Sequence, residues 1–162
     1  MPLLLEALSQ CSAPDLTLDR LLAVLEAVAQ RTAYLALLVE SPIVLSQLVR
    51  LTSICPWIAE RIARQPLLLD DLLDPRRLYT PLRKQDLRNE LDTLLSAVEA
   101  DDLEQRMERL RQFAMSNKLR VAAADITGVI PLMVVSDYLT EIAETVTERV
   151  LAQAWHDLTA RH

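Results

Sequence analysis

The sequence has almost no glycine, since Gly128 is the only one in 162 residues. Average usage would give about 7% glycine, and tight β-hairpins depend on residues that tolerate a positive φ. Leu, Ala, Glu, Arg and Gln, which favour helices, are abundant instead. The composition therefore excludes a hairpin-rich β-protein and predicts an all-α fold. The length of the chain fits a single helical domain over residues 1–162.

Metal-binding and redox motifs are also missing. Cys11 and Cys55 have no motif spacing, and we expect reduced thiols, although the sequence leaves a disulfide open. Neither His156 nor His162 lies three residues after a glutamate, so the Glu-x-x-His pairs of di-metal bundles are absent. The residues therefore indicate no metal site and no resident cofactor.

Two kinds of partner are not indicated by the charge and hydropathy. The net charge is −6 and the sequence pI about 4.9, whereas nucleic-acid-binding surfaces have a basic excess. No apolar run reaches the roughly 18 residues of a membrane span, and the apolar start lacks the positive region of a signal peptide. We predict a soluble, cytoplasmic protein that binds neither nucleic acid nor membrane.

Proline divides the first half of the chain into short helices. Ser41-Pro42 predicts an N-cap followed by proline in the first turn, and Pro56 and Pro66 predict further starts. In the second half, leucine periodicity predicts three longer helices. We expect about six to eight helices in one bundle, with an exposed loop from Asp74 to Gln85. The last helix is expected to bury Leu139, Ile142, Ala143, Val146, Val150, Ala154 and Leu158.

The segment at residues 118–137 has two interpretations. A strand followed by a loop would carry Asp125 and Asp137 as an active site. Alternatively, two helices are separated there by a break at Gly128, because glycine adopts the left-handed conformation that commonly ends a helix. In that case Ser136 caps the next helix and Asp137 lies in its first turn.

We adopt the helix break, because every unusual residue in the segment then has a structural role. A carboxylate at Asp125, in the last turn of a helix, opposes the helix dipole and needs a partner. Arg120, Lys118 or the N–H groups of a neighbouring helix could supply it. On this interpretation Asp125→Ala would destabilise the fold by about 1–3 kcal/mol, the range for leaving a buried partner unpaired.

The predicted loop from Asp74 to Gln85 is a second candidate site. It contains residue types that are favoured at protein interfaces, namely Arg76, Arg77, Tyr79 and Arg83. An ordinary solvated loop is the simpler interpretation, so the loop is kept as a possible docking surface.

Two blocks of the sequence resemble a known family. The blocks "SPIVLSQLVRLTSICPWIAERIARQPLLLDDLLDPRRLY" and "LEQRMERLRQFAMSNKLRVAAADITGVIPLMVVSDYLTEIAE" are similar to the helical region of the bifunctional glutamine synthetase adenylyltransferase/adenylyl-removing enzymes. Their order and spacing both fit, and the similarity covers residues 41–161. Two blocks of this length are more specific than a short motif.

The resemblance implies a middle piece of a long enzyme with two nucleotidyltransferase domains. One domain transfers AMP from ATP to a tyrosine of glutamine synthetase, the other removes it by phosphorolysis, and PII signal proteins and glutamine decide between them. ATP and Mg²⁺ are implied for the whole enzyme. Its catalytic domains carry a Gly-Ser loop and an Asp-x-Asp pair, and this sequence has neither. No catalytic, cofactor-binding or metal residue is therefore carried over.

Two roles follow from the resemblance. The chain is expected to be a non-catalytic helical linker that contacts the adjacent nucleotidyltransferase domains. The alternative is a docking module for the PII signal protein or for glutamine synthetase. An autonomous enzyme has the least support, because the sequence lacks nucleotide-binding motifs.

Overall fold

The computed structural model of the chain describes residues 2–29 and 31–161. These residues form nine α-helices and one 3-10 helix, without a strand, which confirms the all-α prediction. The 3-10 helix is Pro66–Leu73. The α-helices are α1 Pro2–Ser9, α2 Pro14–Val28, α3 Thr32–Glu40, α4 Pro42–Ile54, α5 Pro56–Arg64, α6 Pro75–Leu78, α7 Lys84–Ser96, α8 Leu103–Ile126 and α9 Leu132–Arg161.

The number of helices is slightly above the six to eight expected. The sequence pattern missed α1 and α6, which are short and begin at Pro2 and Pro75. Proline suits a first helical turn, because its φ is already near the helical value and its missing N–H is not needed there. The first half therefore divides into more helices than periodicity alone indicates.

The predicted loop from Asp74 to Gln85 is shorter and less exposed than expected. Residues 75–78 form α6, and Leu78 is fully buried. Lys84 already starts α7, which leaves residues 79–83 as the non-helical connection. The expectation was wrong because the residues around Leu78 are mostly polar, so the sequence pattern did not indicate that Leu78 is buried in the core.

The chain divides into two compact units, Met1–Leu78 and Tyr79–His162. The single domain expected from the length stays a prediction. In the first unit, α2 packs against α4 and α5, and the 3-10 helix packs against α4 and α5 as well. Its core consists of fully buried aliphatic side chains, among them Val24, Leu48, Leu51, Ile58, Ile62 and Leu69.

The C-terminal end of α4 is closed by a side chain from α2. Arg20 Nη1 donates hydrogen bonds to the carbonyl oxygens of Thr52, at 2.8 Å, and Ser53, at 3.1 Å. The last carbonyls of a helix have no partner within the helix, and a cation there also complements the helix dipole. Arg20 thus ties α2 to α4 through the backbone.

The second unit is a bundle of α7, α8 and α9. Asp102 is the N-cap of α8, because its Oδ1 accepts a hydrogen bond from the backbone N–H of Gln105 at 2.9 Å. The three helices enclose an apolar core of Leu87, Leu91, Leu95, Leu110, Phe113, Val121, Tyr138 and Ile142.

Side-chain pairs show the relative directions of the three helices. Lys84 contacts Glu144 and Arg88 contacts Glu148, so α7 and α9 run parallel. Arg106, near the start of α8, donates a hydrogen bond to Gln153 in the second half of α9. The long helix α8 is therefore antiparallel to α9, as its connection to α9 through a short turn requires.

A buried polar network joins α7 and α8 inside this bundle. Arg120 donates to both carboxylate oxygens of Glu90, each at 3.1 Å, and also to Asn117 Oδ1 at 3.2 Å. Asn117 Nδ2 donates to Glu90 and to the carbonyl of Phe113. The Arg120 side chain is 6% exposed. Bidentate geometry of this kind satisfies charges that water can no longer solvate.

We predict that Arg120→Ala lowers the free energy of unfolding of the chain by about 3 kcal/mol, because it removes the cation that donates two hydrogen bonds to the partly buried Glu90 carboxylate. Urea denaturation followed by circular dichroism measures the change. The matched control is Arg109→Ala on the exposed side of α8, expected to cost less than about 0.5 kcal/mol. Equal costs for the two variants would contradict the assigned role of Arg120.

Candidate functional site

The helix break contains a complete glycine-terminated helix end. Gly128 has a φ of 71°, in the left-handed region, directly after the C-cap residue Thr127. The Gly128 N–H donates to the carbonyl of Asp125 at 2.9 Å, and the Val129 N–H donates to the carbonyl of Ala124 at 2.9 Å. These two hydrogen bonds define the Schellman motif and satisfy carbonyls that the helix leaves open.

Asp125 does not have the partner that the sequence suggested. Its half-buried side chain forms no hydrogen bond or ion pair with the residues that the structure describes. Arg120 points instead to Glu90 on α7, where the carboxylate accepts two hydrogen bonds. Asp125 therefore contributes its backbone carbonyl to the helix end, and the expected cost of 1–3 kcal/mol for Asp125→Ala is withdrawn.

Ser136 and Asp137 do not start the last helix. The backbone N–H of Val134 already donates to the carbonyl of Pro131 at 3.0 Å, and α9 begins at Leu132. Ser136 and Asp137 are exposed residues within the second turn. The proline determines the start, because its φ suits the first turn, and a cap residue four positions later is not needed.

The four residues of the second candidate site belong to two different compact units. Arg76 and Arg77 are exposed on α6 in the first unit, whereas Tyr79 is half-buried and belongs with Arg83 to the second unit. The Arg83 guanidinium lies 4.3 Å from the ring centre of Tyr138, a cation–π distance, and 3.4 Å from Glu141. Arg83 is thus engaged within its own bundle.

An ion-pair ladder connects one side of α9 to α7. Its members are Arg83 with Glu141, Lys84 with Glu144 and Glu148, Arg88 with Glu148, and Arg149 with Asp92. The hydrogen bond to Glu144 raises the pKa of Lys84. The hydrogen bond from Arg88 lowers the pKa of Glu148. Both pKa shifts favour the charged forms, namely the ammonium group of Lys84 and the carboxylate of Glu148.

The side of α9 that faces away from the bundle is apolar, contrary to expectation. Leu139, Ala143, Ala154 and Leu158, which were expected in the core, are all exposed. Ile142 is buried as expected, and Tyr138 and Thr145 are buried as well. We call the exposed side the outer face of α9. It consists of Leu132, Met133, Ser136, Leu139, Thr140, Ala143, Thr147, Leu151, Ala154, Trp155 and Leu158.

The outer face carries several large apolar side chains, and charged residues are confined to its edges, with Asp137 and Glu144 along one and Asp157 along the other. Met133 is 84% exposed, Trp155 69% and Leu151 67%. A signal for this face was present in the sequence, because apolar residues occupy more of α9 than the single stripe that a helix on a core needs. Periodicity alone could not say which of the two apolar sides would be buried.

A shallow groove of about 660 Å³ runs along the middle of the outer face, between its apolar residues and the ladder. Its walls are formed by Lys84, Leu139, Thr140, Ala143, Glu144, Thr147, Glu148 and Leu151. The floor is apolar, and the charged groups at one edge are already paired with each other. This arrangement suits contact with an apolar surface better than recognition of a charged small molecule.

Other functional features were searched within residues 2–29 and 31–161. No group of three or more His, Cys, Asp or Glu side chains there is placed to hold a metal ion. Cys11 and Cys55 are free and half-buried. In the same ranges no single helix is long and apolar enough to cross a membrane, although α3 and α4 would pass jointly across a 97° bend.

The fold and these surfaces define an all-α protein whose most distinctive surface is a largely apolar helix face. The family model for glutamate-ammonia ligase adenylyltransferase matches residues 45–162. The chain therefore belongs to the glutamate-ammonia ligase adenylyltransferase family, which confirms the resemblance found in the sequence.

Curated relatives carry the full name of the enzyme. The chain is 56% identical over all 162 residues to the bifunctional glutamine synthetase adenylyltransferase/adenylyl-removing enzyme of Thioalkalivibrio sulfidiphilus. It is 52% identical to the protein of the same name from Nitrosococcus oceani. In each case the whole chain is covered, but it spans 17% of the length of the relative.

We predict that Gly128→Ala lowers the free energy of unfolding by about 1 kcal/mol, because alanine is strained at a φ of 71°. An added Cβ would meet no atom within 4 Å, so the cost is confined to the backbone. Gly128→Asn is the control and should cost less, since asparagine tolerates this conformation. Chemical denaturation measures both variants, and an unchanged midpoint for Gly128→Ala would refute the assignment.

Proposed function

We propose that this chain is a non-catalytic helical segment of a longer glutamine synthetase adenylyltransferase/adenylyl-removing enzyme, where it holds the adjacent nucleotidyltransferase domains in position. One observation carries the proposal. The whole chain aligns with relatives of that name at 56% and 52% identity, yet accounts for 17% of their length. A segment of this kind contributes to an activity that belongs to the longer protein.

The proposed activity of the longer protein is the transfer of AMP from ATP to a tyrosine of glutamine synthetase, and its removal by phosphorolysis. This chemistry uses Mg²⁺ to hold the nucleotide phosphates, and an Asp-x-Asp pair is the element that binds the metal in such domains. The sequence of this chain contains no Asp-x-Asp pair and no Gly-Ser dipeptide. Their absence from the printed sequence supports a non-catalytic role for the chain.

The three-helix unit has the mechanical properties that a positioning element needs. The buried pair of Arg120 and Glu90 fixes α7 against α8, and the ladder fixes α7 against α9. Packed helices of this kind move as rigid bodies between discrete arrangements and do not deform continuously. Such a unit could pass a change of position from one attached domain to another.

Replacement of this segment in the full-length protein tests the proposal. We expect an unrelated helical bundle of similar length to leave each catalytic domain able to act, but to abolish the control of adenylylation and removal by PII and glutamine. Assays of AMP incorporation into glutamine synthetase, with and without effectors, measure the change.

The matched control for this replacement is the corresponding segment from Nitrosococcus oceani, which is 52% identical and should preserve regulation. If the unrelated bundle leaves regulation intact, the positioning role is wrong. Loss of both catalytic activities in the folded chimera would instead indicate that the segment contributes directly to catalysis.

A docking role for PII signal protein or glutamine synthetase is the second candidate. It is favoured by the exposure of Arg76 and Arg77, which lie side by side on the short helix α6. Exposed arginines can pair with carboxylates of a partner and are common in interface hot spots.

Calorimetric titration of the full-length protein tests the docking role. If it holds, Arg76→Ala with Arg77→Ala should weaken binding of PII by about tenfold, or about 1.4 kcal/mol. The control removes two other exposed arginines, Arg109 and Arg111 on α8. The same loss of affinity in both double variants would show a general charge effect and would argue against docking at α6.

A further inference from the structure

We propose that the outer face of α9 is a docking surface for a neighbouring domain of the same, longer polypeptide. The inference rests on the proposed function, because it supposes that further domains adjoin this segment. It goes beyond that function by assigning the contact to particular residues and by stating the chemistry of the partner surface, which must be largely apolar.

The first step is the extent of the exposed apolar surface. The large side chains span from Leu132 to Leu158, which corresponds to about 39 Å along the helix at about 1.5 Å per residue. They are Leu132, Met133, Leu139, Leu151, Trp155 and Leu158, each between 40% and 84% exposed. Monomeric proteins rarely leave contiguous apolar patches of this kind in water, and such patches mark interaction sites.

The second step is the small size of the residues between these side chains. The remaining positions of the outer face are Ser136, Thr140, Ala143, Thr147 and Ala154. Small residues at these places allow another backbone to approach closely. The exposed carboxylates Asp137 and Glu144 lie at the edge of the outer face, and Glu144 is paired with Lys84, so burial of the centre of the face meets no large desolvation penalty.

The third step concerns the margin next to the groove. Glu144 and Glu148 border the outer face, but they are paired with Lys84 and Arg88 of α7. Because Lys84 and Arg88 neutralise the charges of these two glutamates, this edge of the outer face does not favour a basic partner such as a polycationic peptide. An apolar protein surface therefore fits the outer face better than a charged ligand.

The fourth step selects the occupant. The chain spans 17% of its relatives, so most of the proposed polypeptide lies outside this structure. A domain on the same polypeptide is held near α9 at an effective concentration of about millimolar, without the full entropic cost of bringing two molecules together. A second copy of the protein would have to compete against that local domain.

Thiol labelling in the full-length protein tests the inference without any measurement of catalytic activity. Ala143 and Ala152 are both exposed alanines in the middle of α9, but Ala143 lies on the outer face and Ala152 lies outside it. The two variants Ala143→Cys and Ala152→Cys are therefore a matched pair. Reaction with a maleimide, followed by mass spectrometry of the peptide that contains each site, gives the labelling rate.

We expect Ala143→Cys to react about tenfold or more slowly than Ala152→Cys in the native protein, because a docked domain must open first. The rates should become equal in denaturant. Equal rates in the native protein would overturn the inference. Slow labelling of Ala143→Cys that is lost on dilution would also overturn it, because it would identify a second copy as the occupant.

The outcome is independent of the test of the positioning role. If Ala143→Cys is protected in the native enzyme, and regulation also survives in the separate chimera whose segment was replaced, the docking surface is supported and the positioning role is rejected. If Ala143→Cys is labelled freely, and the separate chimera loses regulation, the docking surface is rejected and the positioning role is kept.

Discussion

The ion pair between Arg120 and Glu90 holds α7 and α8 in one alignment, and the three-helix unit depends on it. Each charge is largely removed from water, and the two form a bidentate pair that compensates for the lost solvation. A shift of one residue along α8 would rotate Arg120 by about 100° and face Glu90 with an apolar side chain. Leucine contacts are less directional, so they contribute stability to this pairing, while the ion pair restricts its geometry.

The two sides of α9 have different chemistry, and this difference links the fold to the proposed function. On one side, glutamates form ion pairs with Arg83, Lys84 and Arg88 of α7. Each exposed pair contributes little by itself because water screens the charges, but the pairs act together between α7 and α9. On the other side, Leu151 and Trp155 remain in water. A helix that is held firmly on one side and apolar on the other can carry an adjoining domain.

Much of the fold could be predicted from local chemistry, whereas the candidate site could not. Proline positions and leucine spacing indicate most helices, and a single glycine marks the end of α8 at Gly128, because these effects act within a few residues. Arg120 was one of three candidate partners named for Asp125, because the two residues are near in sequence, whereas its actual partner Glu90 is 30 residues away. The start of α9 was also misplaced, because Ser136 has a capping side chain but Pro131 precedes it.

The sequence by itself determined the all-α class, the family and the absence of nucleotidyltransferase motifs from the printed chain. These properties depend on composition, on residue order and on the local conformational preferences of proline and glycine. The tertiary structure decided which apolar side of α9 is buried, because Tyr138 and Leu139 are both apolar and only the positions of α7 and α8 distinguish them. It also decided that Glu90 pairs with Arg120, because a contact across 30 residues requires the folded arrangement of two helices.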